Sequence, residues 1–91
     1  MNRTELEKNI LAKMADGAYD RQQVGNNIIT VNGETVTIRI EKGIPKRYIE
    51  REDGRWEVFN VWDTDEKKLS FVRHYGYLFW DRDIRHYLRA H

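Results

Sequence analysis

Cysteine is missing from all 91 residues of the chain. Disulfide scaffolds, thiolate zinc sites, iron–sulfur clusters and cysteine nucleophiles are therefore excluded. Proline occurs once and glycine six times, too rarely for a collagen-like or Pro/Gly-rich disordered chain. No apolar run approaches the roughly 20 residues that a membrane helix needs. The opening residues Met1-Asn2-Arg3-Thr4-Glu5 lack the basic-then-apolar order of a secretory signal. These two absences predict an intracellular, cytoplasmic protein with no membrane partner. An excess of charge of one sign is missing as well. Sixteen Lys/Arg face fifteen Asp/Glu, for a formal net charge of +1. Strong non-specific DNA binding by the whole molecule is not expected, although a basic patch can sit on a nearly neutral protein. The phosphate-cradling runs G-x-x-x-x-G-K-[ST] and G-x-G-x-x-G and the nucleophile elbow G-x-S-x-G are all absent.

What remains is an ordinary folding composition: 40% hydrophobic and 34% charged residues, with three Trp, five Tyr and three Phe. Ninety-one residues make a single domain, residues 1–91, with one modest core.

Local patterns predict the elements in turn. Residues 4–16 read as a helix, with Thr4 and Glu7 as a capping box and Leu6, Ile10 and Met14 forming the apolar stripe. Gly17 suits the position just past its end. Asn27–Val31 and Glu34–Ile40 flank Asn32-Gly33, the pair favoured in a two-residue type I′ hairpin. That register sets Ile29 opposite Val36 and places Ile29, Val31, Val36, Ile38 and Ile40 on the core face. Thr30, Thr35, Thr37 and Arg39 then face outward. Gly43-Ile44-Pro45 reads as a turn, followed by a second hairpin, Lys46–Glu52 and Arg55–Trp62, around Asp53-Gly54.

A two-residue loop in the second hairpin would oppose Glu50 and Glu57, which is unfavourable. A three-residue loop with a bulge is the competing register. Strict alternation puts Trp56, Val58, Asn60 and Trp62 on one face and Glu57, Phe59 and Val61 on the other. This strand is accordingly expected to be central or covered on both sides. Asp63–Lys68 reads as a charged turn and Leu69–Tyr75 as a fifth strand, with a helix the weaker alternative for so short a run rich in β-branched and aromatic residues; a last helix opens with Asp81 as its cap. The fold class expected is α+β: an N-terminal helix, an antiparallel meander of four to five strands with two tight hairpins, and a C-terminal helix.

Two surfaces carry recognition chemistry. Arg47, Tyr48, Arg51, Arg55 and Trp56 crowd onto the second hairpin, and these are residue types enriched where proteins meet. Arg82, Arg85, His86 and Arg89 share one side of the last helix, just after the aromatics Tyr75, Tyr77, Phe79 and Trp80. Arginine pairs with phosphate and aromatic rings stack on bases, so this side suits nucleic acid. The simpler alternative has Tyr77, Leu78, Phe79 and Trp80 completing the core beside solvated arginines.

Catalytic and metal signals are weak. Asp63/Asp65 and Asp81/Asp83 lack the further ligands of a hard-metal site. His86 and His91 are five apart and do not project together from a helix. His74 with Asp81 and His86 is the remaining acid–base grouping. No catalytic, cofactor-binding or metal residue is assigned. The reading is a small non-enzymatic domain that binds another protein, as an adaptor or stoichiometric inhibitor of the kind common among phage and mobile-element accessory proteins. Nucleic acid is the alternative partner, a second copy of the chain a further one, and a small acid–base or metal-dependent enzyme the least favoured reading.

Overall fold

The computed structural model describes residues 2–20, 24–29 and 35–90. The chain runs through α1 (Arg3–Ala15), β1 (Val24–Ile29), β2 (Thr35–Glu41), β3 (Ile44–Glu50), β4 (Trp56–Val61), α2 (Asp65–Tyr75), a 3-10 turn (Gly76–Leu78) and α3 (Arg82–Arg89).

Helix α1 buries Leu6, Ile10 and Met14, as their four-residue spacing requires. Its cap is Asn2 rather than Thr4. The Asn2 side chain accepts the Glu5 N–H at 2.9 Å, and Glu7, instead of closing a capping box, accepts a hydrogen bond from the Tyr87 hydroxyl. At the other end Ala18 N–H donates to the Lys13 carbonyl and Gly17 N–H to the Met14 carbonyl. This is the paired closure of a Schellman motif.

The strands lie in the order β1-β2-β3-β4, all antiparallel. The β2–β3 pairing runs without a break from Val36 opposite Ile49 to Glu41 opposite Ile44. β1 joins β2 with an interrupted register that places Ile28, not Ile29, opposite Val36 and sets Ile29 opposite Thr35. The Asn32-Gly33 turn, with Thr30 and Val31, lies outside the described residues. The expected meander of four to five strands is thus corrected: β2, β3 and β4 form a three-strand sheet, β1 adds to its edge, and the proposed fifth strand is helical.

That helix, α2, starts where a charged turn was expected. Thr64 Oγ accepts the Lys67 N–H at 3.2 Å. Asp65 and Glu66 occupy the first turn, and Arg73 and His74 the last, each sign placed to suit the helix dipole. Phe71 and Val72 are buried, with Leu69 and Tyr75 packed beside them. The β-propensity of Phe71 and Val72 yields to this cap and to an apolar face at helical spacing.

The tight turn after β2 is Lys42-Gly43, one residue earlier than the expected Gly43-Ile44-Pro45, with Ile44 and Pro45 already in β3. Both turn residues have positive φ, 52° and 76°, as a type I′ loop needs. Glycine is also required by space: a Cβ on Gly43 would lie 2.6 Å from the Met14 carbonyl oxygen. The hairpin therefore docks against the end of α1, where Gly43 N–H also donates to Asp20 at 3.1 Å.

The β3–β4 loop follows the three-residue alternative. Gly54 N–H donates to the Arg51 carbonyl and Arg51 N–H to the Arg55 carbonyl, with Gly54 at φ 84°. Glu50 then faces Trp56, Ile49 faces Glu57 and Tyr48 faces Val58, so the like-charge Glu50–Glu57 opposition does not arise. A bulge between Arg47 and Tyr48 restores the other register, with Arg47 opposite Asn60 and Lys46 opposite Val61. Phe59 is the extra residue on β4, and strict alternation fails there.

The core joins both layers. Leu6, Ile10 and Met14 of α1 meet Ile38 and Ile40 of β2, Trp62, Phe71, Val72, Phe79, Ile84 and Tyr87. Much of the aromatic surplus is spent here: Trp62 packs on Phe71 at 5.0 Å between ring centroids, Phe71 on Tyr75 at 5.4 Å and Tyr19 on Phe79 at 5.3 Å. Thr37, expected to face outward, is buried, because it lies mid-strand beside Tyr48 on the inner strand β3. The molecule is elongated, 47 × 24 × 20 Å.

Candidate functional site

Helices cover one face of the sheet. Arg47 of β3 reaches α2, donating to the Tyr75 hydroxyl at 3.1 Å, and its strand neighbour Ile49 is buried. Tyr48 and Glu50 therefore point away from the helices, and the register carries Val58 and Trp56 to that same outer face. β4 is an edge strand. The expectation of a central or doubly covered strand is overturned, since every residue from 51 to 60 is exposed. Trp56 is 45% exposed, Val58 50% and Phe59 56%.

The five hairpin residues divide sharply. Trp56 stands open on the outer face, and Tyr48 lies half-buried beside it, its hydroxyl donating to Glu41 at 2.6 Å. That bond raises the Tyr48 hydroxyl pKa. The three arginines are engaged within the chain. Arg51 pairs with Glu57 at 2.9 Å and Arg55 with Asp53 at 2.6 Å. Hydrogen bonds from the Arg55 backbone and guanidinium hold the Asp53 carboxyl below the usual range. Arg47 lies 4.3 Å over the Phe59 ring, and its Nε is buried without a partner. Alternation places Val58 beside Trp56, as observed; it fails at Trp62, which the bulge at Phe59 turns into the core while Trp56 and Val58 stay outside.

The second surface is α3. Asp81 caps it as expected, its Oδ1 accepting the Ile84 N–H at 2.9 Å. Ile84 and Tyr87 turn inward, which leaves Arg82, Arg85, His86 and Arg89 outward and exposed. Together with Trp80 and Asp81 they line an open depression of about 380 Å³. Among the described residues the three arginines make no ion pair. The adjacent acids are taken by α1 instead: Lys13 Nζ lies 3.0 Å from Asp81 and 2.9 Å from Asp83. Hydrogen bonding to Asp83, then to Asp81, lifts the Lys13 ammonium above its usual range against the opposing effect of burial. Burial pushes the Asp81 carboxyl up, but the Ile84 amide and Lys13 outweigh it and hold it low.

Of the aromatics before α3, Phe79 is buried while Tyr77 and Trp80 are 71% and 85% exposed. The alternative in which all four residues 77–80 complete the core is corrected accordingly. Arg85 lies 4.3 Å over the Trp80 ring. Tyr75 is packed among Trp62 and Phe71 and is not a free stacking platform.

The acid–base grouping is not assembled around shared contacts. His74 Nδ1 lies 2.9 Å from the Ser70 carbonyl within its own helix, Asp81 serves Ile84 and Lys13, and His86 is exposed on α3. His91 lies outside the described residues. Among the described residues no group of three or more His, Cys, Asp or Glu could hold a metal ion, and no helix is long and apolar enough to cross a membrane. Compared with known protein families, curated proteins and solved structures, the chain gives no match.

Proposed function

We propose that this chain is a non-enzymatic binding domain that meets another protein through the uncovered outer face of β3 and β4. The observation that carries the reading is the pair Trp56 and Val58, both about half exposed on a sheet face with no helix over it. An indole and a valine held side by side in water are the apolar centre that a protein partner desolvates. Tyr48 extends this centre across the strand. The Arg51–Glu57 and Arg55–Asp53 pairs form a polar surround whose charges are already balanced. Arg47, Arg51 and Arg55 then act by shaping the hairpin, and the contact itself falls to Tyr48, Trp56 and Val58.

Affinity capture from cells of the source organism, with three forms of the protein, tests this. The wild-type chain and an Arg85→Glu/Arg89→Glu variant should retain the same protein, and a Trp56→Glu/Val58→Glu variant should lose it. With the captured protein purified, Trp56→Ala should weaken binding by about 2 kcal/mol or more, roughly thirtyfold. Loss of a wild-type dimer in Trp56→Glu/Val58→Glu would identify the partner as a second copy. Identical captures by all three forms, with no change in oligomeric state, would overturn the reading.

A further inference from the structure

We propose that the outward face of α3, together with Trp80, binds single-stranded nucleic acid: Arg82, Arg85 and Arg89 hold phosphates, and Trp80 stacks on a base. The inference is independent of the sheet face, and three observations carry it.

The first is uncompensated charge. A helix beginning Asp81-Arg82-Asp83 ought to neutralise its own arginines. Here Lys13 draws both carboxylates to itself from the neighbouring helix. Arg82, Arg85 and Arg89 are left exposed with no ion pair among the described residues. The second is spacing. Positions i, i+3 and i+7 form one stripe about 10 Å long at 1.5 Å per residue, a run of cations suited to successive phosphates rather than to one anion. The depression they line is open, not an enclosing cavity, so a strand can cross it. The third is Trp80. It is 85% exposed, the most open of the large apolar side chains among the described residues, and Arg85 sits on its ring at 4.3 Å. An arginine-backed indole is a stacking platform for a base. Bases in a duplex hide their faces, so only a single strand can use the indole. An anionic membrane is disfavoured because Ile84, Tyr87 and Leu88 of α3 pack in the core and offer no apolar face for insertion.

Fluorescence anisotropy with a labelled oligothymidylate, a duplex of equal length, and anionic phospholipid vesicles as competitor tests the site. The oligothymidylate should bind, and log K against log salt should fall with a slope of about −2 for three phosphates. Arg82→Ala, Arg85→Ala and Arg89→Ala should each flatten that slope by about 0.7, while Arg85→Lys keeps it. Trp80→Ala should weaken single-strand binding about tenfold or more with the slope unchanged, and should leave any duplex binding unaltered. The vesicles should not compete. Circular dichroism should match wild type throughout, as these side chains are exposed. No binding at low salt, equal binding by the triple-alanine variant, indifference to Trp80→Ala, or displacement by vesicles would each overturn the proposal.

Discussion

Lys13 serves two carboxylates at once, and stability at the junction of the first and last helices turns on it. The side chains of Asp81 and Asp83 are only 12% and 16% exposed. Removing the ammonium leaves both without a counter-charge, so Lys13→Met should destabilise by about 1–3 kcal/mol in thermal or denaturant unfolding. The pH dependence has a definite sign. Asp81 is held below its ordinary carboxylate range in the folded state. Its contribution is complete above the unfolded carboxylate range and disappears as pH falls through the lower folded value. Asp81→Asn keeps a capping side chain but removes the charge, so it should flatten the acid limb of stability. Lys13, raised in the fold, contributes fully below its unfolded value and loses that contribution as pH rises through the folded one. Tyr19 acts in the same direction on the alkaline side. Burial, then the charge of Asp81, raises its hydroxyl, so a Tyr19→Phe control separates the two.

At the scale of elements, two glycines with similar backbone angles separate conformation from packing. Gly54 has φ 84° and open space where a Cβ would stand. Gly54→Ala should therefore cost only the backbone strain, about 1 kcal/mol. Gly43→Ala adds a clash with the α1 carbonyl to a comparable strain and should cost about 2 kcal/mol or more. Equal losses in denaturant unfolding would show that the hairpin does not need its close approach to α1. The same contrast explains what could be read from the chain. Leu6, Ile10 and Met14, the Asp81 cap and the three-residue loop at Asp53-Gly54 obey local rules and were legible. A helix over Leu69–Tyr75 is only the weaker reading as long as Phe71 and Val72 are weighed by strand propensity, although Thr64 followed by Asp65 and Glu66 is a helix start. The edge position of β4 was illegible for another reason. A two-sided apolar strand satisfies the same pattern whether it is covered or not, and strand order is a tertiary fact. The bulge at Phe59 likewise depends on the turn and on Arg47.

For the molecule as a whole, the two candidate surfaces differ in how they treat their charges. Arg51 and Arg55 of the hairpin are ion-paired within it, whereas Arg82, Arg85 and Arg89 of α3 make no ion pair among the described residues. Raising salt should thus change affinity at α3 steeply and at the sheet face little, a distinction that titrations at two ionic strengths would read directly. Arg85→Glu should also leave the unfolding midpoint nearly unchanged, while Trp56→Glu, which sets a second carboxylate opposite Glu50, should cost only about 1 kcal/mol, because neither side chain is buried. A large fall for either would mean that the surface is structural.

The departure from a sphere has a final consequence. The radius of gyration, 13.7 Å, exceeds the roughly 12 Å of a compact chain of this length. α3 packs on α1 and the 3-10 turn, while the 51–60 segment stands clear in solvent. A protein seated on one and a strand seated on the other would be tethered within a single span of 47 Å. Such confinement corresponds to an effective concentration on the order of millimolar. A contact between the two guests with a Kd near millimolar, negligible between free molecules at micromolar concentration, would then be formed about half of the time, with this small chain as the bridge.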